Sequence, residues 1–139
     1  MKNVFLSALF LLAATPAMAD GTSRPYAMGG RFERFDPVVA QYNASGERFR
    51  IEGHCQSACT LFLSIRNVCV EPGARLLFHA GNNRQRQISI TSTNHMLNAY
   101  NAKLREFVVA NRYMETLEFH TISGRDIIQK FGYPACPRK

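Results

Sequence analysis

The sequence predicts one α/β domain, a small twisted sheet flanked by helices and braced by disulfides. Three observations lead there. Short apolar or alternating runs, bounded by turn residues, are separated by helical stretches. Their order is strand, helix, strand, helix, strand, strand, helix, helix, an alternation that favours mixed layers. Four cysteines, Cys55, Cys59, Cys69 and Cys136, accompany an export leader.

The leader comes first. Lys2 gives a positive start, VFLSALFLLAA an apolar run and Ala17 to Ala19 a small-residue cleavage site. Residues 1–19 therefore read as a signal peptide cut before Asp20, and residues 20–139 as the domain. The protein is expected to be exported, periplasmic or extracellular. The apolar run is too short to span a bilayer, and no later segment reaches the roughly 18 apolar residues of a spanning helix. No membrane span is expected.

The formal charge of +7 is spread over Arg24, Arg31, Arg34, Arg48, Arg50, Arg84, Arg86 and others, without a block of like charges. That pattern reads as solubility first and as attraction to anionic envelope polymers second. The basic residues are not interleaved with aromatics, so nucleic acid is not an expected partner. Oligomeric state leaves no signature.

Along the domain, residues 20–28 form a lead-in with one short extended piece, and Gly29–Gly30 mark a backbone-permissive turn. DPVVAQYNASG reads as a short helix, with Asp36 as cap, Pro37 at the first position and Gly46 as stop. ERFRIEG alternates, placing Phe49 and Ile51 on one side and Arg48, Arg50 and Glu52 on the other. SACTLFLS is a compact apolar helix, and NVCVEPG and ARLLFHAG are strands around a Pro72–Gly73 turn. Residues 82–93 are polar and read as a loop with a brief strand at Ile88–Ile90. Leu97, Tyr100, Leu104, Phe107 and Val108 repeat at helical spacing over residues 94–111. A last helix starts at SGRD, where Ser123 and Asp126 resemble a capping box, and ends at Gly132.

The cysteines allow three pairings, and nothing in their spacing selects one. They do not repeat a CxxC pair, so no metal site is expected. Ser57 lies between two of them, where a strand turns into the apolar helix. A nucleophilic serine needs a base, exposure and N–H donors for an oxyanion, and helix-start N–H groups have no internal partner. Serine is equally a good N-cap. His79 closes the apolar strand ARLLFH beside a flexible loop, where it reads as a surface histidine or a general base. His54, His95 and His120 are weaker candidates.

The run GHCQSACTLFLSIRNVCVEPGARLLFHAG resembles the central segment of the Clp-peptidase/crotonase superfamily, closest to small exported bacterial proteins within it. The resemblance covers most of residues 29–136 and is most specific over 53–80. It implies a Clp/crotonase-like domain in which Ser57 is the nucleophile and His79 the base. Gly30, in the Gly29–Gly30 pair, and Ala58 would donate the oxyanion N–H groups. Glu115 falls where Clp peptidases carry an aspartate, with Asp126 as runner-up, although Asp126 suits a helix start better. The resemblance also gives the cysteines a place: Cys59–Cys69 pinning the serine helix to the sheet and Cys55–Cys136 as the second bridge, with Cys55–Cys69 the alternative. The implied activity is hydrolysis of a peptide or ester, without a cofactor, because acyl-CoA chemistry does not suit an exported chain. The rival expectation is a non-catalytic binding module on the same scaffold.

Overall fold

Two three-stranded sheets, rather than one, organise the chain. The structure, a computed structural model, describes residues 13, 14 and 18–139, so most of the expected leader lies outside the described residues. The elements run β1 (Gly21–Thr22), α1 (Asp36–Ser45), β2 (Phe49–Ile51), β3 (His54–Gln56), a 3-10 helix (Ser57–Ser64), β4 (Val68–Val70), β5 (Arg75–Phe78), α2 (Ile90–Asn98), α3 (Ala102–Ala110), β6 (His120–Ser123) and α4 (Gly124–Gln129). The first sheet is parallel in the order β1-β2-β4. In the second, β3 pairs parallel with β5, and β5 antiparallel with β6. The result is mixed α/β, with small sheets flanked by helices and two disulfides. Among the described residues no helix is long and apolar enough to cross a membrane.

One extended segment serves both sheets. β2 and β3 are separated only by Glu52 and Gly53, and Gly53 sits at φ 66°. That left-handed conformation is cheap only for glycine, and it redirects the strand from one sheet to the other. Its carbonyl still accepts the Arg75 N–H at 2.9 Å, which starts the β3–β5 ladder.

α1 begins at Asp36 with Phe35 as its cap residue. Asp36 is therefore the first helical residue instead of the cap, and its carboxylate accepts from His95 Nε2 at 3.0 Å. Gly46 closes the helix at φ 72°, as expected. The periodic stretch 94–111 is two helices, not one. Asn101 interrupts it by capping α3, accepting from the Leu104 N–H while its amide nitrogen donates to the Phe131 carbonyl. α2 starts earlier than expected, at Ile90, capped by Ser89. The expected strand at Ile88–Ile90 reduces to a single bridge between Asn82 and Ile88. α4 has the anticipated Ser123 cap, whose hydroxyl accepts from the Asp126 N–H.

The core is apolar and rich in aromatics. Phe62 is fully buried, with Phe49, Tyr26 and Phe35 rings at 4.5, 5.2 and 5.4 Å. These contacts lock the 3-10 helix against the first sheet and the segment ahead of α1. The outer side of β2 is not solvated. Arg50 is buried, ion-paired with Asp20 at 2.9 Å and with Glu71, and it donates to the Pro137 carbonyl. Glu52 is buried too, taking Thr22, Arg24 and Lys139. Burial raises its pKa, but those three donors outweigh it and the carboxyl ends below its ordinary value.

The disulfides join Cys55 to Cys59 and Cys69 to Cys136. This corrects the expected Cys59–Cys69 and Cys55–Cys136 pairs, and the Cys55–Cys69 alternative with them. The cause is tertiary. Cys136 donates its N–H to the Val70 carbonyl, and Ala135 bridges Val70, so the C-terminal tail runs beside β4 and delivers Cys136 to Cys69. Cys55 in β3 and Cys59 in the first turn of the 3-10 helix are left to each other.

Candidate functional site

Parallel strands β3 and β5 end side by side, with Gln56 opposite Leu77. Ser57 follows β3 immediately and His79 follows β5 immediately. The carboxyl ends of parallel strands are where α/β proteins commonly place ligands. Here they open into a cleft of about 890 Å³, within the usual range of ligand sites. Ser57, His79 and Gly30 line it together. Its apolar wall includes Met28, Phe32, Met96, Leu117 and Phe119, and its charged lining is Arg31, Glu33, Arg84 and Arg86.

Ser57 is not a cap. Gln56 occupies the cap position without making a side-chain capping bond, and Ser57 is the first helical residue. Its backbone lies at φ 55° in the left-handed region. For a residue with a Cβ that conformation costs roughly 1–2 kcal/mol, so its surroundings must impose it. The β3 ladder holds the chain on one side. On the other, Thr60 Oγ1 donates to the Ser57 carbonyl at 2.8 Å and meets the Tyr100 hydroxyl at 2.6 Å. The Cys55–Cys59 bridge spans the turn itself. Tyr100 is fully buried, and burial raises its phenol pKa above the ordinary value, so the hydroxyl stays protonated.

The Gly29–Gly30 turn packs directly on this serine. Gly29 is at φ 71°, and a Cβ there would lie 2.8 Å from the Gln56 carbonyl oxygen and 3.0 Å from Ser57 Cβ. Only glycine permits so close an approach. The Gln56 N–H donates to the Ala27 carbonyl and its side-chain amide to the Met28 carbonyl, fastening the turn to β3. Ala58 is buried in the first turn of the helix, where N–H groups lack internal acceptors.

His79 is 6% exposed and sits edge-on to Phe119, with ring centroids 4.8 Å apart. Both ring nitrogens are buried without a hydrogen-bond partner among the described residues. The other histidines are occupied: His54 with Gln56, His95 with Asp36, and His120 stacked on Tyr113. Burial pushes the His79 pKa below its ordinary value, leaving a neutral imidazole at neutral pH. Buried unpartnered nitrogens are costly for stability, and a catalytic role is one explanation for keeping them.

The expected third residue does not join the pair. Glu115 is distant in sequence but near His79 in space, since its neighbour Thr116 accepts the Ala80 N–H at 2.8 Å. Its carboxylate, however, is 53% exposed and bonded to Arg112 Nε at 2.8 Å. Nor does Asp126, which pairs with Lys130 and serves the helix start as anticipated. Sequence reasoning missed Phe119, which belongs to a segment with weak periodicity, and counted Arg84 and Arg86 only towards the overall basicity, without a role at the cleft they line. No family model matches the chain, and neither curated proteins nor solved structures show a significant match to it.

Proposed function

We propose that the chain is an exported serine hydrolase of the Clp/crotonase type, acting on an amide or ester through a Ser57–His79 dyad. The observation that carries this is the sharing of one cleft by a serine held in a left-handed backbone and a buried, neutral, unpartnered imidazole. Strained backbone of this kind clusters at catalytic sites, and a serine at a sharp strand-to-helix turn presents its hydroxyl to substrate. Two disulfides suit an oxidising compartment, in keeping with the leader read over residues 1–19.

In this reading Ser57 Oγ attacks the substrate carbonyl while His79 takes the hydroxyl proton. The N–H groups of Gly30 and Ala58 stabilise the oxyanion. His79 then returns the proton to the leaving amine or alcohol. Water attacks the acyl-enzyme by the same route and restores the serine. Neither His79 ring nitrogen bonds Ser57 in this structure, and catalytic bonds of this kind commonly tighten only when substrate is bound.

A second reading, a non-catalytic binding module on the same scaffold, is favoured by one observation: among the described residues no carboxylate orients His79. An alkyl fluorophosphonate separates the two. Covalent labelling of the wild type, lost in Ser57→Ala and strongly slowed in His79→Ala, is the outcome for a hydrolase. A wild type that stays unlabelled while binding peptide would identify the module.

A further inference from the structure

We infer that the cleft selects a peptide bearing a carboxylate, held by Arg84 and Arg86, which line the same cleft as Ser57 and His79. The inference rests on the reading of this cleft as the site and deepens it by naming the substrate class.

The two arginines stand on a preformed arm. Asn82 bridges Ile88, the Ser89 N–H donates to the Gly81 carbonyl, and the Asn83 and Gln87 backbones are bonded at 2.9 Å. Inside this hairpin the Asn83 side chain accepts from the Gln85 and Gln87 N–H groups at 3.0 and 2.9 Å. Arg86 sits at φ 59°, in the left-handed region for a non-glycine residue. A loop with its own hydrogen bonds and a fixed turn leaves little backbone ordering to be done on binding, so the cost is confined to the two arginine side chains.

The charge in the cleft is not balanced. Arg31 pairs with Glu33 at 3.4 Å, whereas neither Arg84 nor Arg86 joins an ion pair among the described residues. Two guanidiniums are therefore in surplus, in a cleft whose wall also carries Met28, Met96 and Phe119. A guanidinium meets a carboxylate with two parallel hydrogen bonds. The apolar wall asks for an apolar body beside that anionic group, which a peptide supplies and a free anion does not. Glu33, within the same lining, disfavours a more highly charged group such as a phosphate. The carboxylate has two sources in a peptide, an acidic side chain or the C-terminus.

Four tetrapeptides of one apolar sequence, each with a neutral N-terminal fluorophore, test this by anisotropy on the Ser57→Ala protein. One carries a glutamate and an amidated end, the second a glutamine in its place, the third a lysine, and the fourth the glutamine with a free C-terminal carboxylate. At least one carboxylate peptide should bind about tenfold or more tightly than the amidated glutamine peptide, and the lysine peptide weakest. Which of the two carboxylate peptides gains identifies the source. The advantage should weaken with added salt and disappear in Arg84→Gln/Arg86→Gln, but persist in Arg125→Gln, an exposed arginine of α4 away from the cleft. Equal binding of the carboxylate and amidated glutamine peptides, no binding by any of the four, or an advantage that survives the double substitution would overturn the inference. Fluorophosphonate labelling of the wild type is read separately. A carboxylate preference without labelling removes the hydrolase and keeps the binding specificity.

Discussion

Ser57 and His79 each carry a cost that their surroundings sustain, and both costs are measurable. Replacing Ser57 by alanine keeps the Cβ and so keeps the strained backbone; replacing it by glycine relieves the strain but adds freedom to the unfolded chain. The net expectation is that Ser57→Gly is more stable than Ser57→Ala by about 0.5–1 kcal/mol in urea unfolding. A glycine variant less stable than the alanine one would mean that nothing forces the left-handed turn. For His79 the sign follows from burial. The folded-state pKa is lowered, so protonation favours unfolding. The stability of the neutral form is fully present above the ordinary value of 6.5 and is lost as pH falls towards the depressed folded value. Fluorophosphonate labelling should decline through a midpoint below 6.5 as pH is lowered. A midpoint at or above 6.5 would remove His79 as the base. Local patterns, a serine at a strand-to-helix turn and a histidine at a strand end, made both residues candidates, and only the resemblance to the Clp/crotonase superfamily implied their roles. It could not show that the serine is strained or that Glu115 bonds Arg112, because both depend on how distant segments fold together.

At the scale of elements, the 3-10 helix with its two neighbouring strands forms the frame of the site. The Cys55–Cys59 bridge is closed across only four residues of separation, so it restricts the unfolded chain little, by about 2 kcal/mol on loop entropy. Its larger consequence is local, because it spans Ser57. Cys55→Ser/Cys59→Ser should lose about 2 kcal/mol of stability while labelling of Ser57 falls about tenfold or more, as expected when a reacting group is misplaced. Wild-type labelling in that variant would show that β3 and Thr60 alone hold the turn. Element boundaries were legible where a cap or stop residue stood in sequence: Pro37, Gly46, the Pro72–Gly73 turn, Ser123. Asn101 carried the same kind of signal, a good cap inside a periodic stretch, and it divides α2 from α3. β6 was not legible, since only Ile122 of its four residues is buried and so no alternation stands out.

For the whole molecule, the Cys69–Cys136 bridge dominates. It closes 67 residues of separation, and the loop-entropy relation gives about 4 kcal/mol for its loss. Cys69→Ser/Cys136→Ser should therefore be the more destabilised of the two disulfide variants in thermal or urea unfolding, roughly twice as much as Cys55→Ser/Cys59→Ser. The reverse order would place the stabilisation in native contacts around Ser57 instead of chain restriction. This pairing could not be read from the sequence. It depends on the tail lying along β4, which no local pattern around Cys136 announces.

The buried guanidinium of Arg50 has a consequence for the chain's extremities. Asp20 and Pro137 both touch it, so the segment just before β1 and the C-terminal tail meet at one point outside the cleft lining. A short linker could join Lys139 to Asp20, with fresh ends opened at the exposed Pro72–Gly73 corner. Such a circularly permuted gene would keep every side chain of the cleft while changing the order in which the ribosome delivers Ser57 and His79.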